Sequence, residues 1–161
     1  RLLYVGRNNP EKGIESFLEI FNQLKINSEL SIVSERKKLK IKDNRINFLG
    51  YGFGSSSLIK IYDNCNILVL PSFTEAHTQV VVEALSRKRP VIIFEEIKYI
   101  IGDRIGIFTS KRNVKSFLET AEFIFKNYAS IQKNMSKNRL PTKKSFISQM
   151  SNILSTNENF N

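Results

Sequence analysis

Two glutamates, Glu75 and Glu83, are the clearest candidates for a binding or catalytic role, and seven residues separate them. An apolar run at 67–70 predicts a strand that ends just before Glu75, and residues 90–94 predict the next strand. We therefore expect Glu75 in a loop at the carboxyl end of a strand, and Glu83 about two turns into the helix that follows. Ligands of open α/β sheets bind at the carboxyl ends of strands. Two carboxylates at this edge suit a ligand with many hydroxyl groups, such as a ribose joined to a sugar.

Strand-like and helix-like patterns alternate along the chain. This alternation predicts a Rossmann-like α/β fold, with a parallel sheet of about six strands and helices on both faces. Short apolar runs predict strands at residues 2–5, 30–33, 46–49, 67–70, 90–94 and 105–108. Apolar residues at helical spacing predict helices at residues 14–24, 58–65, 78–85, 114–125, 131–138 and 146–154.

The length and hydropathy of the chain indicate one globular domain. Its 161 residues with 41% hydrophobic content can bury a sizeable core. We expect residues 1–155 to form this domain and residues 156–161 to be a frayed tail. No apolar run approaches the ~20 residues of a membrane span. The chain opens on a predicted strand, with neither an initiator methionine nor a signal-like pattern, so we expect an amino-terminal portion of a longer protein to be absent.

The net charge of +10 is uneven, because residues 111–161 carry nine Lys+Arg and only three Asp+Glu. A basic surface could serve an anionic substrate, an anionic membrane or nucleic acid, and it could equally be solvated surface. Because the chain has no helix-turn-helix, zinc-finger or aromatic RNA-binding signature, no nucleic-acid partner is expected. The single cysteine, Cys65, excludes an internal disulfide and fits a reducing compartment. We expect a cytoplasmic protein, with peripheral contact at the inner face of the membrane left open.

The segment from Ser72 to Leu85 resembles the E-x7-E motif of retaining glycosyltransferases with the GT-B architecture, the group 1 class that uses nucleotide-sugar donors. Other blocks resemble the donor domain of that family and follow the family's order over residues 2–125. They are Tyr4-Val5-Gly6-Arg7, Pro10-Glu11-Lys12-Gly13, Ile46-Asn47-Phe48-Leu49-Gly50, Leu68-Val69-Leu70-Pro71-Ser72 and Arg89-Pro90-Val91-Ile92. The resemblance implies the carboxyl-terminal, donor-binding half of a retaining GT-B enzyme, whose acceptor domain is missing from this chain.

The resemblance also implies roles for individual residues. Breaking the bond to the diphosphate of a nucleotide sugar develops negative charge, which fixed cations can stabilise. The family counterparts of Arg7 and Lys12 contact this diphosphate, and the counterpart of Glu75 binds hydroxyls of the donor sugar. The implied catalytic set is therefore Glu75, Arg7 and Lys12. The other implied donor-binding residues are Glu83, His77, Thr78, Gln79, Gly6 and Tyr51.

Several of these donor-binding residues have a specific physical rationale. Glu83 is expected to accept hydrogen bonds from ribose hydroxyls. The free N–H groups at the start of the predicted helix at residues 78–85 can bind phosphate or sugar oxygens, and Thr78 is a plausible N-cap. His77 is expected to pack or to contact the sugar rather than to act as a base. Tyr51 could stack on the nucleotide base or simply pack its loop.

The expected ligand is a UDP- or GDP-linked sugar, with no cofactor and no metal, because the chain has no Asp-x-Asp motif. The resemblance further implies a part in building cell-surface polysaccharide. Three alternatives stay open: a non-catalytic nucleotide- or sugar-binding module, a sugar-nucleotide epimerase, and a phosphorylase of the same architecture. For the phosphorylase, no lysine is evident that would anchor pyridoxal phosphate.

Three segments depart from the family pattern. The usual Glu-Gly-Phe-Gly is here Glu75-Ala76-His77-Thr78, which loses both glycines and the close backbone approach that they allow. The usual Gly-Gly-x-Pro-Glu is replaced by Glu95-Glu96-Ile97-Lys98, and a glycine-rich turn by Ser34-Glu35-Arg36-Lys37. Donor contacts made by those loops in the family therefore do not carry over to this chain.

Overall fold

A computed structural model describes residues 1–35, 39, 43–50, 52, 54–76 and 78–157 of the chain. The strands, numbered in chain order, are β1 (Leu2–Val5), β2 (Leu30–Val33), β3 (Ile46–Gly50), β4 (Ile67–Leu70), β5 (Val91–Phe94) and β6 (Ile107–Ser110). All neighbouring strands pair in parallel, in the order β3-β2-β1-β4-β5-β6. This sheet confirms the predicted Rossmann-like α/β fold.

Six α-helices connect or follow the strands. They are α1 (Ile14–Gln23), α2 (Ser55–Asp63), α3 (Gln79–Ser86), α4 (Val114–Lys126), α5 (Tyr128–Met135) and α6 (Lys143–Asn157). Short 3-10 segments occupy Pro10–Lys12 and Glu95–Ile100. Helices α1 and α4 pack against each other, and α2 and α3 are joined by a side-chain hydrogen bond. Right-handed crossovers between parallel strands place α1 on one face of the sheet and α2 and α3 on the other. Helix α4 follows the last strand and lies on the face of α1, against which it packs.

Packing of the core explains the apolar strands. Strands β4 and β5 are buried along their whole length, as expected for central parallel strands covered on both faces. On one face, three fully buried rings join α1, β5 and α4. Phe17 lies 5.2 Å from Phe117 and 6.5 Å from Phe94, measured between ring centroids. This aromatic cluster fixes α1 and α4 against β5, beneath the carboxyl edge of the sheet.

Some predicted boundaries differ from the structure. The last strand begins at Ile107 rather than at residue 105, because Gly106 has a positive φ of 100° and turns the chain just before it. Helix α5 begins three residues earlier than expected, and α6 extends from Lys143 to Asn157. The helix thus includes the first two residues of the predicted tail, and residues 158–161 lie outside the described part of the chain.

Cys65 lies just beyond α2 and is buried. Burial disfavours the thiolate and raises the pKa of the Cys65 thiol to about 11.

The strand order reverses between β1 and β4, so the loops that follow these two strands lie side by side. Gly13 sits where they touch, with a positive φ of 62°. A Cβ atom at this position would lie 2.1 Å from the carbonyl oxygen of Pro71. The Phe73 N–H also donates to the carbonyl of Glu11 at 2.8 Å, so the two loops are joined through their backbones.

We predict that Gly13→Ala lowers the free energy of unfolding by about 2–4 kcal/mol, because it adds left-handed backbone strain to a clash with Pro71. Gly102→Ala is the matched control, since Gly102 has a similar φ of 56° but no atom within 4 Å of its added Cβ. That variant should lose only about 1 kcal/mol. Urea denaturation of both variants measures the difference, and equal losses would contradict the close contact between the loops.

Candidate functional site

A cavity of about 420 Å³ opens at the carboxyl edge of the sheet, above the point where the strand order reverses. Its walls come from the end of β1 and the loop after it, from the end of β4, and from the start of α3. The lining residues are Tyr4, Val5, Gly6, Arg7, Lys12, Leu70, Glu75, Thr78, Gln79 and Val80. The structure therefore brings six of the predicted site residues together: Gly6, Arg7, Lys12, Glu75, Thr78 and Gln79.

The Glu75 carboxylate is held by two hydrogen bonds to one of its oxygens. Lys12 Nζ donates to Glu75 Oε1 at 2.6 Å, and Ser72 Oγ donates to the same oxygen at 2.6 Å. The Glu75 side chain is only 5% exposed and that of Lys12 is 23% exposed, so water screens this ion pair weakly. Among the residues that the structure describes, none donates to Oε2.

Arg7 and Gly6 follow β1 on the opposite wall of the cavity. Arg7 is exposed, and its carbonyl accepts a 2.8 Å hydrogen bond from the buried Tyr4 hydroxyl. Burial is the main cause of the raised pKa of Tyr4, and the nearby Glu75 charge adds to it. A Cβ on Gly6 would lie 2.8 Å from the Tyr4 oxygen, so glycine allows the chain to pass over this ring. The Arg7 guanidinium is thereby presented on a fixed stretch of backbone.

The amino terminus of α3 also lines the cavity. Thr78 occupies the N-cap position, but its side chain makes no capping hydrogen bond. Its carbonyl instead accepts from the N–H groups of Val81 and Val82. The N–H groups of Gln79 and Val80 precede the first intrahelical bonds, as the first N–H groups of any helix do. A helix start of this kind favours anionic or hydroxyl oxygens.

Glu83 lies outside this cavity. It is the fifth residue of α3, so it sits just over one turn into the helix rather than two. It lines a separate depression of about 190 Å³ with Leu58, Ile59, Tyr62, Ser86 and Arg87. The Tyr62 hydroxyl donates to Glu83 Oε2 at 2.7 Å. Burial, followed by this bond to the carboxylate, raises the pKa of Tyr62.

Two predicted donor-binding residues, Tyr51 and His77, lie outside the described residues.

In the described part of the chain, no three His, Cys, Asp or Glu side chains come together closely enough to hold a metal ion. The metal-free mechanism stays a prediction.

Arg112 also supports the site, a role that the sequence does not predict. Arg112 lies between the rings of Phe73 and Phe94, at 4.0 Å and 4.3 Å from their centroids. It donates to Glu96 Oε1 at 2.8 Å and to the Ser72 carbonyl at 3.4 Å. The hydrogen bond from Arg112 lowers the pKa of Glu96. No sequence signal identifies Arg112, because its partners are distant in the sequence and lie in the loop after β4, at the end of β5 and in the 3-10 segment that follows β5.

Comparison with known proteins identifies the family. The sequence profile of the glycosyl transferases group 1 matches residues 1–127. The chain belongs to this family. No curated protein sequence matches it significantly.

Solved structures share the fold of this group 1 family member at low sequence identity. Sucrose-phosphate synthase from Thermosynechococcus elongatus superposes with a TM-score of 0.81 and 19% identity, over 99% of this chain and 46% of that protein. Anabaena HepE in complex with UDP and glucose gives a TM-score of 0.74 and 14% identity, over 96% and 47%. The cholesterol-α-glucosyltransferase catalytic domain from Helicobacter pylori gives 0.60 and 15%, over 84% and 92%.

The chain thus spans less than half the length of the first two proteins.

Among the described residues, no helix combines the length and the apolar character that a membrane span requires.

We predict that Lys12 and Glu75 stabilise the fold jointly. A double-mutant cycle with Lys12→Ala and Glu75→Ala should give a coupling of about 1 kcal/mol in the free energy of unfolding, at the upper end for ion pairs because both groups are largely buried. The control is the exposed pair of Arg87 and Asp63, which has the same 2.6 Å separation.

In 1 M salt, the coupling of the exposed control pair should fall much more than that of Lys12 and Glu75. A zero coupling for Lys12 and Glu75 would mean that the two groups do not pair in solution.

Proposed function

We propose that this chain is the donor-binding half of a retaining GT-B glycosyltransferase, which transfers a sugar from a nucleoside diphosphate sugar to an acceptor. The observation that carries the proposal is the convergence of Arg7, Lys12, Glu75 and the start of α3 on one cavity at the strand-order reversal. This edge is where open α/β sheets bind nucleotides. Family membership supports the reaction class.

The charges of the site suit a diphosphate. Arg7 and Lys12 contribute two positive charges, Glu75 offsets one of them, and the start of α3 adds a partial positive charge of roughly half a unit. The net positive potential attracts the ligand and stabilises the charge that develops on the leaving diphosphate. Arg7 is the more accessible cation, because Lys12 is engaged with Glu75 in the free protein.

The two glutamates divide the recognition of the donor. Glu75 Oε2 faces the donor sugar and accepts a hydrogen bond from a sugar hydroxyl, while Lys12 holds Oε1. Glu83 binds the ribose hydroxyls from the neighbouring depression, with Tyr62 orienting its carboxylate. The Tyr62 hydroxyl lies 3.5 Å from the carbonyl of Val80, which lines the main cavity, so the two depressions adjoin each other.

The donor we propose is UDP- or GDP-linked. HepE, a structural relative, has been solved in complex with UDP and with UDP-glucose. WaaG, another relative, is a glycosyltransferase involved in lipopolysaccharide biosynthesis, which supports a role in cell-surface polysaccharide. The 161 residues span less than half the length of HepE, so we propose that on their own they bind a nucleoside diphosphate weakly and do not transfer sugar.

We propose a cytoplasmic protein, with peripheral contact to the inner face of an anionic membrane as an open alternative. Such a contact would use α6, where Phe146, Ile147 and Met150 are exposed and Lys143 and Lys144 precede them.

The rival proposal is a non-catalytic module or an epimerase with the same fold. The discriminating experiment is calorimetric titration of the chain with UDP, GDP and a short oligonucleotide, followed by assay of the full-length gene product against a panel of nucleotide sugars. Binding of UDP or GDP without any transfer by the full-length protein would favour the rival. Turnover by residues 1–161 alone would contradict the two-domain arrangement.

We predict different losses in the two glutamate variants. Glu83→Ala should weaken UDP binding about 10-fold or more, because ribose hydroxyls lose a charged acceptor. Glu75→Ala should weaken UDP-glucose about 10-fold, yet leave UDP within about 3-fold, because Lys12 is then freed for the diphosphate. Calorimetry with both ligands measures the difference.

The control for the two glutamate variants is Glu122→Ala, which removes an exposed carboxylate from α4 and should change neither affinity. Equal losses of UDP affinity in the Glu75 and Glu83 variants would contradict the division of roles.

We predict that Arg7 and Lys12 stabilise the leaving group without a divalent metal. Arg7→Ala and Lys12→Ala in the full-length protein should each lower the transfer rate by about 10- to 1,000-fold, as lost charge stabilisation does in other enzymes. Lys115→Ala, which removes an exposed lysine from α4, should have no effect. Excess EDTA should leave the rate unchanged, and complete loss restored by magnesium or manganese would refute the metal-free mechanism.

A further inference from the structure

A tyrosine that the family motifs do not include contacts the backbone of Glu75. Tyr99 belongs to the 3-10 segment Glu95–Ile100, between β5 and β6. The Glu75 N–H donates to the Tyr99 hydroxyl oxygen at 2.9 Å, and this hydroxyl donates to the Glu75 carbonyl at 2.8 Å. One phenol group therefore takes both backbone hydrogen bonds of a single residue.

Tyr99 is largely exposed, so its contact with Glu75 is not a consequence of packing in the core. The Tyr99 side chain is 62% exposed, whereas Ile97 and Ile100 beside it are buried in the core. The two isoleucines fix the 3-10 segment, and Tyr99 extends from it to the Glu75 loop. A largely exposed ring contributes little hydrophobic stabilisation, so its main effect is on the backbone that its hydroxyl binds.

A second link holds the same segment against the same loop. Glu96 pairs with Arg112, and Arg112 in turn packs on Phe73 and donates to the Ser72 carbonyl. The segment that carries the Tyr99 hydroxyl is therefore held by its two buried isoleucines and by the pair of Glu96 and Arg112. Tyr99 directly follows Glu95–Lys98, and Glu75 begins the sequence Glu75-Ala76-His77-Thr78. Two of the three departures from the family pattern therefore lie at this contact.

We propose that Tyr99 is a positioning residue that holds Glu75 in the orientation required to bind the donor sugar. The role rests on the proposed function, because it requires a sugar that Glu75 contacts. Tyr99 fixes the Glu75 backbone while Lys12 and Ser72 fix one carboxylate oxygen. With both ends held, Oε2 is preorganised for a sugar hydroxyl, and less free energy is lost in ordering the loop when the sugar binds.

The test is Tyr99→Phe, which removes the hydroxyl and keeps the ring. The measured quantity is the ratio of affinities for UDP-glucose and UDP, and for GDP-mannose and GDP, obtained by calorimetry on the 161-residue chain. For the pair that the wild-type chain binds, the ratio should fall about 3- to 10-fold in Tyr99→Phe, while the affinity for the free nucleotide stays within about 2-fold.

Tyr128→Phe is the matched control, because the Tyr128 hydroxyl also donates once and accepts once. Its partners are the Asn66 carbonyl and Arg89, before β4 and β5 at the amino edge of the sheet. This variant should leave the ratio unchanged. Adding Tyr99→Phe to Glu75→Ala should lower the ratio no further, because Tyr99 acts only through Glu75. That non-additivity holds even if Tyr99→Phe also lowers thermal stability.

The outcomes separate the two proposals. A wild-type chain that binds a nucleotide but keeps its sugar ratio in Tyr99→Phe overturns the positioning role alone, as does a further loss in the Glu75→Ala background. A wild-type chain that gains no affinity from either sugar refutes the assignment of Glu75 to the sugar and the Tyr99 role with it. A chain that binds neither UDP nor GDP refutes the proposed function itself.

Discussion

The ion pair between Lys12 and Glu75 joins the two loops that meet where the strand order of the sheet reverses. Each loop follows a strand on one side of the reversal, and neither strand carries the site alone. Because the Glu75 side chain is almost fully buried, the pair is weakly screened and cannot be replaced by water without loss. Ser72 and Tyr99 hold the Glu75 end of the pair, and Arg7 and the start of α3 line the same cavity.

The surrounding packing explains why the pair can form. Gly13 follows Lys12 directly and lets the first loop touch the Pro71 carbonyl, four residues before Glu75. Ser72 then donates to the carboxylate, and Arg112, which follows β6, donates to the Ser72 carbonyl. The chain therefore places rigid backbone contacts around a small number of charged groups. This is the arrangement expected of a preorganised binding site.

The fold and much of the site could be predicted because they depend on local sequence. Buried parallel strands are continuous apolar runs, and amphipathic helices such as α1 repeat their apolar residues at helical spacing, so the alternation of strands and helices could be predicted. Contacts between distant loops could not be predicted. Tyr99 and Arg112 contact Glu75 or its loop through hydrogen bonds and ring contacts that leave no periodic signal in the sequence. The separate depression that holds Glu83 likewise depends on Tyr62, which comes from another helix.

The cavity that contains the Lys12–Glu75 pair is the proposed site of the nucleoside diphosphate sugar. Titration of the ¹⁵N-labelled chain with UDP-glucose, followed through amide chemical shifts, decides between this cavity and the other surfaces of the domain. We expect the shifts to be concentrated in the loops after β1 and β4 and at the start of α3, at Gly6, Arg7, Lys12, Glu75 and Gln79. Saturable shifts confined to other surfaces, with these amides unmoved, would exclude this cavity as the site.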